Sequence, residues 1–285
     1  MQYLAPTTCA DAVAALAACD GDARLLAGGT DLLVRLQADM IEPDLLVDIK
    51  LIPQCQNIEQ DDAGFTIGAA VSGAEMSEHA TLGKVWPGIV EGMDLIGSTQ
   101  VQGRATLAGN LCNASPAADS VPALIAAGAI ANVVGPKGTR QVAVEDIPTG
   151  PSRNSLTKDE MIESFSLPAR PARSSDAYLR FIPRTEMDIA VVGAAVNLTL
   201  DADGTCRAAR VVIGAVGPKV IIVDAAAQAL IGSQVDAAAL QAVQDACSAA
   251  ATPISDKRGT AEFRKHTVGV MARRAAAIAH SRAQA

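Results

Sequence analysis

The chain has 285 residues, 49 % of them hydrophobic and 19 % charged, a composition that can bury a full core and excludes intrinsic disorder. A formal net charge of -8 and an aromatic content of 2 % exclude a partner held by phosphate-backbone contacts or base stacking. No window approaches the roughly 18 consecutive apolar residues of a membrane span, and length predicts about two domains. The start, MQYLAPTTCADAV, has neither a basic n-region nor an apolar h-region, so a cytoplasmic protein is expected. TTCADAVAALAA joins capping residues to Val13, Leu16 and Ala17 on one face, which predicts a helix. ARLLAG predicts a strand, DLLVRLQADM a second helix and DLLVDI a second strand. Together they form a βαβ-type unit whose Gly-rich turn links strand to helix.

A second segment runs from about Asn57 to Arg173. GFTIGAAVS predicts a strand, SGAEMSEHA and KVWPGIVEGMDLI predict helices, and GSTQVQGRATLAGNLCNASPAADS reads as a long extended loop. Strands AIANVVG, TRQVAV and MIESFSLP follow, giving an α+β unit wrapped around that loop. From Ser174 the pattern changes. AVVGAAVNLTLDADGTCRAARVVIGAV predicts a β-hairpin turning at Asp-Ala-Asp-Gly. Helices are predicted at VDAAAQALI, VDAAALQAVQDACSAAA and the alanine-rich tail from Ala261.

Cys9, Cys19, Cys55, Cys112, Cys206 and Cys247 never fall into C-x-x-C, so neither an iron–sulfur cluster nor a zinc site is expected on this chain. Only three histidines are present, which argues against a histidine-rich metal site. The chemistry is therefore expected to come from an organic cofactor.

Two stretches are candidates for holding one. In LLAGGTDLLVRL, Gly28 and Gly29 deliver a strand onto a helix start, where unpaired N–H groups meet the positive end of the helix dipole. Such a turn can cradle a pyrophosphate, or be a plain tight turn. Thr30 is the expected N-cap in either case, and Asp31 should face the helix or solvent, since it would repel an inward phosphate. There is no G-x-G-x-x-G. In TLAGNLCNASPAAD, Thr106, Gly109, Asn110 and Ser115 line up small and polar groups, with Asp119 nine residues after Asn110. This second stretch is either the other half of a dinucleotide clamp or an irregular loop satisfying its own backbone.

Four collinear motifs carry a resemblance: AGGTDLL from Ala27, IGSTQVQGRATLAGNLCNASPAAD from Ile96, RFIPRTEMDIAVVG from Arg180 and TPISDKRGTAEFRKHTVGVMARRA from Thr252. Together they resemble the FAD-binding medium subunits of molybdenum hydroxylases, the carbon monoxide and xanthine dehydrogenase family. The resemblance implies an α+β fold. A FAD domain of the vanillyl-alcohol-oxidase and p-cresol-methylhydroxylase (PCMH) type would span residues 1–174, with subdomains 1–56 and 57–174, and a C-terminal α+β domain would span 175–285. It implies that Ala27, Gly28, Gly29, Thr30, Asp31 and Leu32 hold the FAD pyrophosphate with Thr106, Gly109 and Asn110, and that Asp119 binds the adenosine part. Ile96 and Gly97 would lie beside the flavin, Ile162 would pack on its ring, and Arg180 would place a cation near it. Ala108 departs from the family's usual glycine, and is tolerable only with negative φ.

The implied function is a flavoprotein subunit with no catalytic residue or metal of its own. It would take electrons from [2Fe–2S] clusters on a small subunit, after substrate oxidation at a molybdenum–pterin cofactor on a large subunit. It would pass them from FAD to an external acceptor, in a dimer of heterotrimers. Two other readings stay open: a self-contained PCMH-type flavin oxidase, and a partner-docking scaffold without FAD.

Overall fold

The computed structural model describes residues 1–285. The first unit contains β1 (Gln2–Leu4), α1 (Cys9–Ala18), β2 (Ala23–Leu26), α2 (Leu32–Gln37) and β3 (Leu45–Asp48), with the strands parallel in the order β1-β3-β2. Thr8 caps α1 by accepting the Asp11 N–H at 3.1 Å. The predicted strand–turn–helix–strand order is present. β1 is an addition: three exposed residues are too few to leave a periodic signal.

The second unit is built on an antiparallel sheet, β4-β5-β10-β6-β7. It contains β4 (Ile58–Asp61), β5 (Gly64–Gly68), α3 (Gly73–Glu78), α4 (Leu82–Val85), α5 (Pro87–Asp94), α6 (Thr99–Gln102), α7 (Leu107–Cys112), α8 (Ser120–Ala126), β6 (Ile130–Gly135) and β7 (Gly138–Ala143). The hairpin β8 (Pro148–Gly150) and β9 (Arg153–Asn154) precedes the central β10 (Met161–Pro168). A capping box between Ser72 and Glu75 starts α3. Two expectations are corrected here. KVWPGIVEGMDLI is not one helix: Pro87 lacks the N–H to continue α4 and instead opens α5 at its first position. The expected extended loop holds α6 and α7 and runs into the first residue of α8. Its glycines, asparagines and serines hide short helices that lack an apolar stripe.

The third unit is the antiparallel sheet β11-β12-β13-β14 (β11 Ser174–Phe181, β12 Val192–Leu200, β13 Cys206–Gly214, β14 Ile221–Ile222). Three helices follow, α9 (Asp224–Leu230), α10 (Ala237–Ala250) and α11 (Ala261–Gln284). The predicted hairpin is β12–β13. Ala272, Ala275, Ala276 and Ala279 of α11 are buried with Val196, Val211, Val243 and Val268 in a core of their own.

The first two units share one core, which includes Leu16, Val47, Phe65, Met76, Leu107, Leu124 and Phe165. Tyr178, Ala195 and Val212 of the third unit's sheet belong to that same core. A polar seam reinforces the contact. Arg170 pairs with Asp176 at 2.9 Å, both nearly inaccessible, and its guanidinium lies 3.8 Å from the centre of the Trp86 ring. Arg282 of α11 donates to the Asp176 carbonyl at 2.9 Å and pairs with Glu91 of α5 at 2.5 Å.

Candidate functional site

The turn after β2 answers why two glycines stand together. Gly29 has φ of +79°, a left-handed conformation that costs an L side chain energy. Gly28 is in a different position. A Cβ there would lie 1.9 Å from the carbonyl oxygen of Arg104, so the first loop presses its bare backbone onto the second. Helix α2 begins with Asp31, not Thr30, at its N-cap, and no side chain caps it. The first amide bond of this helix runs from Leu33 N–H to the Gly29 carbonyl at 2.9 Å. The N–H groups of Gly28, Gly29, Thr30 and Asp31 therefore donate to nothing within the chain. Four adjacent free donors in a turn are suited to an anion.

The second loop is a helix start. Thr106 caps α7 by accepting the Gly109 N–H at 3.0 Å, and the Asn110 N–H donates to the Thr106 carbonyl at 3.0 Å. The donors expected of Gly109 and Asn110 are thus engaged internally, and Gly109 contributes an exposed surface without a Cβ. The Asn110 side chain works locally as well: its oxygen accepts from Ser120 N–H at 3.3 Å and Ser120 Oγ at 2.7 Å, tying α7 to α8. Ala108 lies inside α7 and is buried, so its methyl sits on helical backbone without strain.

Between the loops lies a cleft of about 420 Å³, within the size range of small-ligand sites. Ala27, Gly28, Gly29, Thr30, Asp31, Leu32, Ile96, Thr106, Gly109, Asn110 and Ile162 all line it. Asp31 is exposed, at the rim, and partial burial raises its carboxyl while Arg35 opposes the shift. Ile162 presents a nearly buried aliphatic wall. The cleft also takes in residues that the sequence did not single out: Leu16, Asp22, Arg24, Arg35, Cys112, Asn154, Lys158 and Glu160. Of these, only Arg35 carried a legible signal, being one helical turn beyond Asp31. Burial pushes the Cys112 thiol up to about 12, which keeps it protonated.

Three expected cofactor residues do not line this cleft. Gly97 has φ of +62°, and its carbonyl accepts the Met187 N–H at 3.1 Å, joining the turn after Ile96 to the connection between β11 and β12. Asp119 and Arg180 are paired with each other at 2.7 Å, with side chains 9 % and 3 % exposed. Tyr178 OH donates to the second Asp119 oxygen at 2.9 Å. Burial lifts the Asp119 carboxyl to about 6 against the pull of Arg180 and Tyr178. Asp119 immediately precedes Ser120, the residue that Asn110 holds.

Free amides at a glycine turn, a facing glycine at a helix start and an aliphatic wall fit the pyrophosphate and ring of a flavin dinucleotide. Residues 1–170 match the family model for the FAD binding domain in molybdopterin dehydrogenase. Residues 177–279 match the CO dehydrogenase flavoprotein C-terminal domain. The carbon monoxide dehydrogenase medium chain of Afipia carboxidovorans is 32 % identical, over 99 % of this chain and 97 % of its own length. The xanthine dehydrogenase FAD-binding subunit of Escherichia coli O157:H7 is 29 % identical, over 95 % and 93 %. The solved carbon monoxide dehydrogenase of Hydrogenophaga pseudoflava contains a chain that superposes with a TM-score of 0.94 at 30 % identity, covering 99 % of this chain and 98 % of that one. The chain therefore belongs to the FAD-binding medium subunits of the molybdenum-containing dehydrogenases, the family of carbon monoxide and xanthine dehydrogenase.

Proposed function

We propose that this chain is the electron-transfer flavoprotein of a three-subunit molybdenum hydroxylase. It takes electrons from [2Fe–2S] clusters of a small subunit, downstream of a large subunit carrying the molybdenum–pterin cofactor, and hands them to an external acceptor. The complex is a dimer of heterotrimers. When bound, FAD supplies the exchange between one- and two-electron carriers.

The chain's own residues bind and orient. The free N–H groups of Gly28 to Asp31 hold the pyrophosphate, with Leu32 starting the helix behind them and Ala27 leading into the turn. Thr106, Gly109 and Asn110 close the cleft from the opposite side. Ile96 and Ile162 flank the ring and exclude water, and Gly97, outside the cleft, fixes the turn that follows Ile96. Asp119 and Arg180 brace the second loop through Ser120. The FAD-binding part spans residues 1–174 in two subdomains, and residues 175–285 form the C-terminal domain.

The observation that carries this reading is the row of four free amides facing the second loop across one cleft. None of His79, His266 and His280 lines that cleft, so a covalently flavinylated oxidase finds no support there. The test is the visible spectrum of the purified chain, followed by denaturation and assay of the released cofactor. Flavin bands with releasable FAD are expected. A colourless protein that takes up no added FAD, alone or with its partner subunits, would refute the proposal.

A further inference from the structure

Three cations line the cleft, and two of them are engaged within the chain. Arg24 pairs with Asp22 at 2.8 Å, and Lys158 donates to the Cys19 carbonyl at 3.4 Å. Arg35 is half-buried on the cleft wall and has neither an ion-pair nor a hydrogen-bond partner.

Its position has a physical reason. Arg35 stands four residues after Asp31, so both lie on one face of α2, and both line the cleft. Asp31 brings a carboxylate to the rim of a site whose free amides invite an anion, and by itself it would repel one. Helix α2 has six residues, under two turns, so few aligned peptide dipoles are available to offset that carboxylate. Of the other carboxylates on the wall, Asp22 is paired with Arg24 and Glu160 with Arg140 at 2.7 Å. Once internal ion pairs are removed, the charges left on the cleft wall are Asp31, Arg35 and Lys158; Lys158 is held by the Cys19 carbonyl, so Asp31 and Arg35 are the pair that stands on α2 at the turn itself.

We propose that Arg35 is a cofactor-positioning cation: it offsets Asp31 and directs its free guanidinium to the pyrophosphate of the bound dinucleotide. A guanidinium suits this, since it stays charged and offers several donors in a plane. The proposal rests on the flavoprotein reading above, and the experiment separates the two.

FAD affinity is measured by fluorescence titration of the full-length chain stripped of cofactor, over a series of sodium chloride concentrations. The proteins are wild type, Arg35→Gln, Arg35→Lys and the double variant Asp31→Asn/Arg35→Gln. Circular dichroism confirms that each is folded. Arg35→Gln should weaken FAD about ten-fold or more at low salt, the effect of one charge-assisted hydrogen bond, and flatten the salt dependence. Arg35→Lys should recover most of the loss, and the double variant should recover part of it by removing the repulsion. Wild-type affinity in Arg35→Gln would overturn the proposal while leaving the flavoprotein reading intact. So would a loss that lysine does not rescue and that salt dependence does not track, since it would mark a role in shape. A wild-type chain that takes up no FAD, alone or with its partner subunits, would overturn both.

Discussion

Replacing Gly28 with alanine tests whether the two loops touch as the structure describes. The added Cβ would lie 1.9 Å from the Arg104 carbonyl oxygen, 2.7 Å from the carbonyl carbon and 3.2 Å from Ala105 Cα. These are backbone atoms, so no rotamer change relieves the clash, and the loops must separate by roughly 1 Å or more to restore ordinary contact. Forcing such a shift in packed structure costs about 2–3 kcal/mol, equivalent to roughly 3–5 °C in melting temperature for a chain of 285 residues. Gly109→Ala is the matched control. Its Cβ meets only Thr106 Oγ1, at 3.1 Å, and it sits inside α7, where alanine is favoured over glycine by about 0.5–1 kcal/mol. Calorimetry should therefore find Gly28→Ala well below wild type and Gly109→Ala at or above it, while both lose FAD stoichiometry. In the first the cradle opens, and in the second a methyl enters the cleft. A Gly28→Ala protein that melts with wild type, or a Gly109→Ala protein that falls as far, would refute the reasoning.

Thr106→Ala removes the cap of α7 and should cost about 1 kcal/mol in a denaturant titration, with weaker FAD retention. Arg170→Met leaves Asp176 buried without its counter-charge and should cost about 3–5 kcal/mol. Trp86, the single tryptophan, would report the change as a shift in emission, and adding Asp176→Asn should recover stability. The Asp119 carboxyl is raised in the folded protein from 3.8 to about 6. The folded state therefore holds a proton there more tightly than the unfolded state does, and stability falls as pH rises from about 4 to 6. Asp119→Asn should flatten that part of the stability–pH curve, by at most about 3 kcal/mol. An unchanged slope would show that Arg180 already compensates fully.

Strands β2, β3, β5 to β7, β10, β12 and β13 and the long helices were legible because their apolar residues repeat at strand or helix spacing, whereas β11 was not singled out. The loop from Gly97 to Asp119 was not. Helices α6 and α7, four and six residues long, are too short to leave a periodicity, and α7 is fixed instead by a cap at Thr106 and by the Asn110–Ser120 bonds. The cleft was largely legible through the glycine turn and the family resemblance, which between them named eleven of its lining residues. The reason for Gly28 was hidden, because its neighbour Arg104 is far away in the chain. The pairing of Asp119 with Arg180 was hidden for the same reason: 61 positions separate two residues that were read as separate ligands. Thr30 had the composition of a cap, but Asp31 takes that place and leaves the amides free.

The family boundary between residues 170 and 177 has a bearing on how such subunits can be recombined. Tyr178, Ala195 and Val212 lie in the core of the cofactor-binding part, and Tyr178 and Arg180 grip Asp119 behind the second loop. A cut at that boundary would split a core and expose a carboxylate that has no other partner. A chimera that takes its last hundred residues from a relative would inherit a mismatched seam unless Glu91, Asp119, Asp176, Tyr178, Arg180 and Arg282 were exchanged together. The two parts are separable as patterns of sequence, but physically they form a single heritable unit.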